Sequence, residues 1–205
     1  DTEPQFAGTA VTPNYVTFHG FGGDAGLRLV APVRRGASPQ PKVEFLGDSI
    51  TAGFDNQCDI PGSPQGFPWS ESFIKSWATL ICDQLDAECH YNAWSGFGMV
   101  ANCCGGSTLG SDVWSRTLAT VGSTNASDPH GTTTDNEWDF GSWKADAVVI
   151  NLGTNDHLGT TKPSAKSDAF MARYKALVVA ASQAYGADTH FFLACGPMST
   201  DYCME

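Results

Sequence analysis

Basic residues are scarce in this 205-residue chain, and long apolar runs are absent. Lys and Arg number 11 against 22 Asp and Glu, which gives a formal net charge of −11. An acidic surface without a basic stripe repels a phosphate backbone, so nucleic acid is excluded as a partner. No apolar run approaches the roughly 20 residues that a membrane-spanning helix needs. We therefore predict a protein with no membrane span.

The sequence also lacks the patterns of a structural metal site. It has no CxxC pair, and no Cys/His cluster has the spacing of zinc ligands. Seven cysteines are present, at positions 58, 82, 89, 103, 104, 195 and 203. This density suits disulfide bonds in an oxidising compartment. The odd number leaves one thiol unpaired or bonded to a partner outside the chain.

Two further features favour secretion. Charged residues make up only 16% of the chain. Asn125-Ala126-Ser127 is a glycosylation sequon in a polar stretch. The first residues, 1–4, lack the basic-then-apolar pattern of a signal peptide, as in a trimmed mature chain. We predict a secreted glycoprotein with Asn125 as the modified residue.

The chain is long enough for one sizeable core, and one domain is the default at this length. Residues 1–42 differ from the rest, with a short β-rich piece at 15–21 and a Pro/Ser/Gly linker at 34–41. This stretch is too small to bury a core of its own. We expect it to be the tail of something larger, or an arm on a main domain at 43–205.

From residue 43 onward, short apolar runs alternate with helical patterns. Strands are predicted at 43–46, 89–94, 147–152 and 190–194, and helices at 69–85 and 164–185. The expected buried faces of the two helices are Phe73, Trp77, Leu80 and Ile81, and Phe170, Tyr174, Leu177, Val178 and Ala181. Strands that are apolar on both faces and alternate with helices predict an α/β fold with a covered parallel sheet. The active site of such a sheet lies outside the carboxyl ends of its strands.

Each of the first three predicted strands ends in a polar segment that contains glycine. The segments are Gly47-Asp48-Ser49-Ile50-Thr51, Ser95-Gly96-Phe97-Gly98 and Gly153-Thr154-Asn155-Asp156. Taken alone, each is explained by a tight turn and a capped helix, because glycine permits the turn and Asp or Ser caps the helix. Three such ends in this order are a stronger signal than any one of them.

In this order the three segments resemble the signature blocks of the SGNH, or GDSL, hydrolases. The surrounding sequence is most similar to the two-domain acetyl esterases of carbohydrate esterase family two, and the likeness extends to 16–21 and 29–32. The resemblance implies a three-layer α/β/α, flavodoxin-like fold with a parallel sheet. It also implies that 1–42 hold the tail of an N-terminal jelly-roll domain. The hydrolase domain at 43–205 is then expected to be incomplete at its C-terminus, without its last strand and helix.

The resemblance assigns catalytic roles to three residues. Ser49 is the nucleophile, and Gly96 and Asn155 donate hydrogen bonds to the oxyanion together with the Ser49 N–H. Ester hydrolysis passes through a tetrahedral oxyanion, which needs donors where its charge develops, and the helix N-terminus behind Ser49 also favours negative charge. Asp48 and Asp156 are expected to orient the loops. No metal or cofactor is implied.

A serine nucleophile needs a base, which is usually histidine. SGNH enzymes place this histidine after the last strand, and the chain has no such segment. Its histidines stand at 19, 90, 130, 157 and 190. His157 follows Asn155 closely and is a candidate for lining the pocket. We expect the base itself to lie on a missing segment or on a second chain.

Aromatic residues near the blocks are candidates for binding a sugar. Trp69 and Phe97 either stack on a sugar ring or pack in the core, and Trp94 is expected to pack. With Asp48 and His157 they complete the substrate-binding candidates.

These features together predict a serine-dependent esterase that removes O-acetyl groups from carbohydrate through an acyl-enzyme intermediate. The acetyl and carbohydrate parts rest on the resemblance alone. Two alternatives stay open. One is a lipase-type or thioesterase-type acyl hydrolase. The other is a catalytically inactive SGNH domain with a structural or carbohydrate-binding role in an extracellular assembly.

Overall fold

The computed structural model describes residues 39–57, 70–103, 105, 108–117, 137–157 and 168–198. Nearly all of the predicted N-terminal segment lies outside these ranges, as do the candidate residues Trp69 and Asn125. Within the described ranges, no helix is long and apolar enough to cross a bilayer.

The described chain alternates between strands and helices. The strands are β1 (Lys42–Gly47), β2 (Glu88–Ala93), β3 (Ala147–Asn151) and β4 (His190–Leu193). The helices are α1 (Ser49–Ala52), α2 (Trp77–Leu85), α3 (Gly110–Val113), α4 (Thr154–His157) and α5 (Asp168–Tyr185), with a 3₁₀ helix at Phe73–Lys75. Each strand lies within one residue of its predicted bounds at either end. The helix expected directly behind Ser49 is present as α1, and the four-residue helices α3 and α4 were not predicted.

The strands form one parallel sheet in the order β2-β1-β3-β4. β1 lies between β2 and β3, and its residue Phe45 is in register with Tyr91 on one side and Val149 on the other. Parallel neighbours require crossover connections, which place helices on the faces of the sheet. The predicted parallel α/β sheet is therefore confirmed.

Alternate residues of the sheet build two separate cores. On one face, Leu46 and Val148 belong to a buried cluster with Leu177 of α5. On the other face, Phe45 packs in a cluster with Ala78 of α2. The sheet is thus covered by α5 on one side and α2 on the other, which confirms the predicted three-layer α/β/α arrangement.

Helix α2 begins later than predicted. Its N-cap is Ser76, whose hydroxyl accepts a hydrogen bond from the Thr79 N–H at 3.3 Å. The preceding residues, Phe73–Lys75, form a 3₁₀ helix instead. Because a 3₁₀ helix has a different period from an α-helix, one continuous apolar stripe does not run through both segments.

The buried face predicted for α2 is correct at its start and wrong further along. Phe73 and Trp77 do pack against aromatic rings of the sheet. Leu80 and Ile81, however, are 53% and 38% exposed. The small residues at this point of the helix, Ala78 and Cys82, face the sheet in their place. For α5 the predicted face is confirmed, with Phe170, Leu177 and Ala181 buried and Tyr174 and Val178 packed against the same core.

Disulfide bonds are present, as predicted. Cys82 of α2 is bonded to Cys89 of β2. Cys103 and Cys195 are also disulfide-bonded. The Cys82–Cys89 bond ties the helix directly to the edge strand that follows it.

Candidate active site

The carboxyl ends of three strands lie side by side. Gly47, the last residue of β1, is in register with Ala93 on β2 and with Asn151 on β3. The segments that leave these ends carry the predicted catalytic residues Ser49, Gly96 and Asn155. Sheet order therefore places the three segments at one edge of the sheet, with the segment of Ser49 in the middle.

Ser49 is the first residue of α1. The Ile50 N–H donates a hydrogen bond to the Asp48 carboxylate at 3.0 Å, and Gly53 ends the helix in the left-handed region with φ of 98°. Ser49 is half-buried, and its hydroxyl has no hydrogen-bond partner within the described part of the chain. Since α1 has only four residues, its dipole is weaker than the sequence suggested. Hydrogen bonds from individual N–H groups therefore contribute more than the helix dipole to stabilising negative charge beside Ser49.

Asp48 is completely buried beneath this turn. Burial raises the pKa of its carboxyl group to about 7, and the nearby Asp156 adds to the rise. Hydrogen bonds from Ile50 and Thr154 lower the pKa in part. A carboxyl group in this position orients the turn, as predicted, and leaves no exposed surface that a substrate could contact.

A tight turn follows β2 at residues 94–97. The Phe97 N–H donates to the Trp94 carbonyl at 3.2 Å, and Gly96 has φ of 81°. A positive φ at the third position is typical of a type II turn and favours glycine there. The Gly96 carbonyl accepts a hydrogen bond from the Cys103 N–H at 3.0 Å. The chain beyond the turn therefore folds back and supports it.

Helix α4 connects the end of β3 to the same turn. Asn155 is 3% exposed, and its side-chain Nδ2 donates a hydrogen bond to the Phe97 carbonyl at 2.8 Å. The bond fixes the plane of the amide beside the turn that contains Gly96. The structure thus brings Asn155 and the glycine segment into direct contact.

Asp156 holds the rest of the loop after β2. Its carboxylate accepts hydrogen bonds from the N–H groups of Met99 at 2.8 Å, Val100 at 2.7 Å and Ala101 at 2.9 Å. A Cβ atom on Gly98 would lie 2.7 Å from Asp156 Oδ2 and 2.1 Å from the Ala101 carbonyl oxygen. Only glycine fits there, and the predicted loop-orienting role of Asp156 is confirmed.

The segment after β4 reaches the same edge of the sheet. A Cβ atom on Gly196 would lie 2.6 Å from Ile50 Cδ1 and 2.7 Å from Thr154 Oγ1. This segment therefore packs against both α1 and α4. Among the residues that the structure describes, no group of three or more His, Cys, Asp or Glu side chains is placed to hold a metal ion.

A serine directly after the central strand, a glycine turn after the neighbouring strand and a fixed side-chain amide suit acyl transfer, because they offer a nucleophile and oxyanion donors. The family described as GDSL-like lipase/acylhydrolase matches residues 45–202. The chain belongs to this family. The match begins within β1 and extends beyond β4, and it confirms the resemblance found in the three sequence blocks.

Two relatives of this GDSL-family chain are named as esterases. The cellulase/esterase CelE of Acetivibrio thermocellus is 33% identical over 185 residues, which cover 89% of this chain and 20% of that protein. The acetylxylan esterase/glucomannan deacetylase of Cellvibrio japonicus is 30% identical over 145 residues, covering 68% of this chain and 35% of that protein.

A solved structure of a carbohydrate esterase is also similar to this chain. A family two carbohydrate esterase from Clostridium thermocellum, in complex with cellohexaose, has a TM-score of 0.64 and 30% identity, and the match covers 82% of this chain and 48% of that chain. The GDSL-family chain described here thus spans less than half the length of each of these three proteins. The likeness to family two carbohydrate esterases is confirmed.

Two substrate-binding candidates of the GDSL-family site are engaged in packing. The Phe97 ring is 7% exposed and stacks on Trp94 with centroids 5.8 Å apart, so it has little surface for a sugar. What links Phe97 to the site is its carbonyl group. The His157 ring lies edge-to-face against Phe170 of α5, with centroids 4.9 Å apart. Trp94 packs, as predicted.

One residue beside the site was not identified from the sequence. Glu71 Oε2 accepts a hydrogen bond at 3.1 Å from the hydroxyl of Ser95, the residue directly before Gly96. The two residues are 24 positions apart, and Glu71 lies in none of the three blocks. The only sequence signal is a polar Ser-Glu-Ser stretch at 70–72 ahead of an apolar helix.

Proposed function

We propose that this chain is the catalytic part of a serine esterase that removes O-acetyl groups from carbohydrate. The observation that carries the proposal is the placement of Ser49 directly after the central strand β1, whose neighbours β2 and β3 lead to the glycine turn and to Asn155. Family membership supports ester hydrolysis as the reaction class.

In the proposed reaction, the Ser49 hydroxyl oxygen attacks the acetyl carbonyl carbon while a base takes the hydroxyl proton. The oxyanion accepts hydrogen bonds from the backbone N–H groups of Ser49 and Gly96 and from the Asn155 amide. The sugar alcohol then leaves with a proton, and water hydrolyses the acetyl-serine by the same steps. We propose that a histidine outside the described residues supplies this base.

An acetylated polysaccharide is the proposed substrate class. One relative is named for deacetylating xylan and glucomannan, and a related structure holds cellohexaose. Those names concern the relatives, and they support the same class of substrate here.

We also propose secretion and glycosylation at Asn125, supported by the sequon and by the disulfide bonds.

The test is covalent labelling of the full-length protein with a fluorophosphonate, followed by peptide mapping. We expect labelling at Ser49, and loss of both labelling and hydrolysis in Ser49→Ala. Ser182→Ala, in the last turn of α5, is the matched control and should keep both. Labelling at another residue, with Ser49→Ala still active, would contradict the proposal.

Substrate class is tested separately with aryl esters of increasing acyl length and with acetylated xylan or glucomannan. We expect aryl acetate to be hydrolysed faster than longer esters, and acetate to be released from the polysaccharide. A preference for long acyl chains would favour a lipase-type hydrolase. No hydrolysis of any ester by the full-length protein would favour an inactive domain.

A further inference from the structure

The direction of one backbone N–H group decides whether the proposed oxyanion site can form. In the turn at residues 94–97, the peptide between Ser95 and Gly96 is the central one. Type I and type II turns differ mainly by a flip of this central peptide, which reverses the direction of its N–H and C=O. The φ of 81° at Gly96 corresponds to the type II form. Whatever holds Ser95 therefore helps to set where the Gly96 N–H points.

Glu71 holds Ser95. The Ser95 hydroxyl donates a hydrogen bond to Glu71 Oε2 at 3.1 Å, and Ser95 is 6% exposed. A hydrogen bond to an ionised carboxylate is stronger than one between neutral groups, and burial protects it from competing water. Ser95 is the residue whose ψ changes when the central peptide flips. The bond to Glu71 therefore acts at the point in the turn where the flip would occur.

The residues on either side of Glu71 are hydrogen-bonded to the chain that follows Ser49. The Ser72 N–H donates to the Gly53 carbonyl at 3.0 Å, and the Gln57 N–H donates to the Ser70 carbonyl at 2.9 Å. The Ser70 hydroxyl also donates to the Asp55 carboxylate. A Cβ atom on Gly53 would lie 2.3 Å from the Ser72 carbonyl oxygen, so the two segments approach too closely for a larger residue.

We propose that Glu71 is a positioning residue, which ties the segment after Ser49 to the Ser95–Gly96 peptide and keeps the Gly96 N–H directed for the oxyanion. Glu71 acts through Ser95 and does not contact the reacting atoms. The inference rests on the proposed function in one respect, the role of the Gly96 N–H. The physical link between the two segments stands on the observed hydrogen bonds alone.

The first experiment is steady-state kinetics of the full-length protein on an aryl acetate. Glu71→Ala is expected to lower kcat by about ten- to a hundredfold with KM nearly unchanged, because a small misplacement of a transition-state donor costs this much. Glu71→Gln should keep kcat within about threefold of the wild type, because its side-chain oxygen can accept the same hydroxyl proton. Asp83→Ala, which removes an exposed negative charge on α2, is the control and should leave kcat unchanged.

Two further variants connect Glu71 to Ser95. Ser95→Ala should lower kcat about as much as Glu71→Ala, and the double variant should be no slower than the slower single variant. Fully additive losses would overturn the proposal, as would a Glu71→Gln protein as slow as Glu71→Ala.

Amide hydrogen exchange gives a readout that does not depend on hydrolysis. The Cys103 N–H, which donates to the Gly96 carbonyl, should exchange faster in Glu71→Ala and stay protected in Asp83→Ala. If the wild-type protein hydrolyses no ester, the proposed function fails, and exchange alone then decides the positioning role. Unchanged exchange at Cys103 in Glu71→Ala would overturn it.

Discussion

The side-chain amide of Asn155 lies 2.8 Å from the carbonyl oxygen of Phe97 and donates a hydrogen bond to it. This bond joins the end of β3 to the turn that carries Gly96, so one amide both supports the loop and lies at the proposed oxyanion site. Kinetics can show whether Asn155 acts in the transition state or in substrate binding.

Asn155→Ala should lower kcat of the full-length protein by about 10²- to 10³-fold, with little change in KM, because it removes a donor used in the transition state. Steady-state kinetics on an aryl acetate measure both constants. Asn102→Ala is the matched control, since Asn102 accepts from the Gly98 N–H in the same loop without belonging to the oxyanion site. A change confined to KM would assign Asn155 to substrate binding.

Gly98→Ala should destabilise the fold, because its Cβ atom would lie 2.1 Å from the Ala101 carbonyl oxygen. Overpacking of this kind costs about 1–3 kcal/mol, which lowers Tm by several degrees in a domain of this size. Thermal unfolding measures the shift. Gly141→Ala, where the nearest atom is Asp139 Oδ1 at 3.1 Å on an exposed turn, is the control. Equal Tm values for the two variants would contradict the observed packing of Gly98.

His157→Gln should keep most of the turnover, because the ring packs edge-to-face against Phe170. The pH dependence of kcat/KM for wild type and variant decides the matter. A large loss of kcat/KM together with loss of the acidic limb of the pH profile, where a general base becomes protonated, would identify His157 as the base after all. A small loss of Tm with an unchanged profile is the expected outcome.

Glu44 should make stability depend on pH. It is 5% exposed in the core, where the Trp114 indole N–H donates to it at 3.0 Å. Burial raises the pKa of its carboxyl group from 4.5 to about 7, while hydrogen bonds from Trp114 and Tyr185 lower it in part. Between these two pH values the folded protein keeps a proton that the unfolded chain has lost. Stability therefore falls as pH rises through this window, by up to about 3 kcal/mol at ~1.4 kcal/mol per pKa unit.

Glu44→Gln should remove this part of the pH dependence. Urea unfolding of wild type and variant at about pH 5 and about pH 8 gives the difference. The pKa of Asp48 is also raised, but Asp48 is present in both proteins, so its contribution to the pH dependence cancels in the comparison. The same pH dependence in both proteins would show that the Glu44 carboxyl group is not the source.

Short-range sequence patterns were enough to predict the strands and the face of α5. Val43, Phe45 and Val148 are apolar residues in short runs that end at glycine, and such runs are typical of buried parallel strands. The same reasoning failed at Leu80 and Ile81, because α2 buries its small residues Ala78 and Cys82 instead, and these give a weaker apolar signal than Leu and Ile.

Only those residues of the candidate site that belong to the three sequence blocks were predicted. Ser49, Gly96 and Asn155 stand in recognisable segments, and the structure brings those segments to one edge of the sheet. The contacts of Glu71 and Asp156 could not be predicted in detail, since each depends on a partner brought close by the fold. Asp156 binds backbone groups 55 to 57 positions away, and the sequence does not show which backbone N–H groups a side chain will bind.

The central position of β1 also has a consequence for how the fold forms. Gly47 pairs with Asn151, a residue 104 positions further along the chain. Bringing such distant segments together is slow, because the entropy of closing a long loop is lost before the contacts form. The segments of Ser49 and Asn155 come together at the end of the sheet only once this pairing exists. The proposed site therefore depends on one of the longest-range contacts of the described chain.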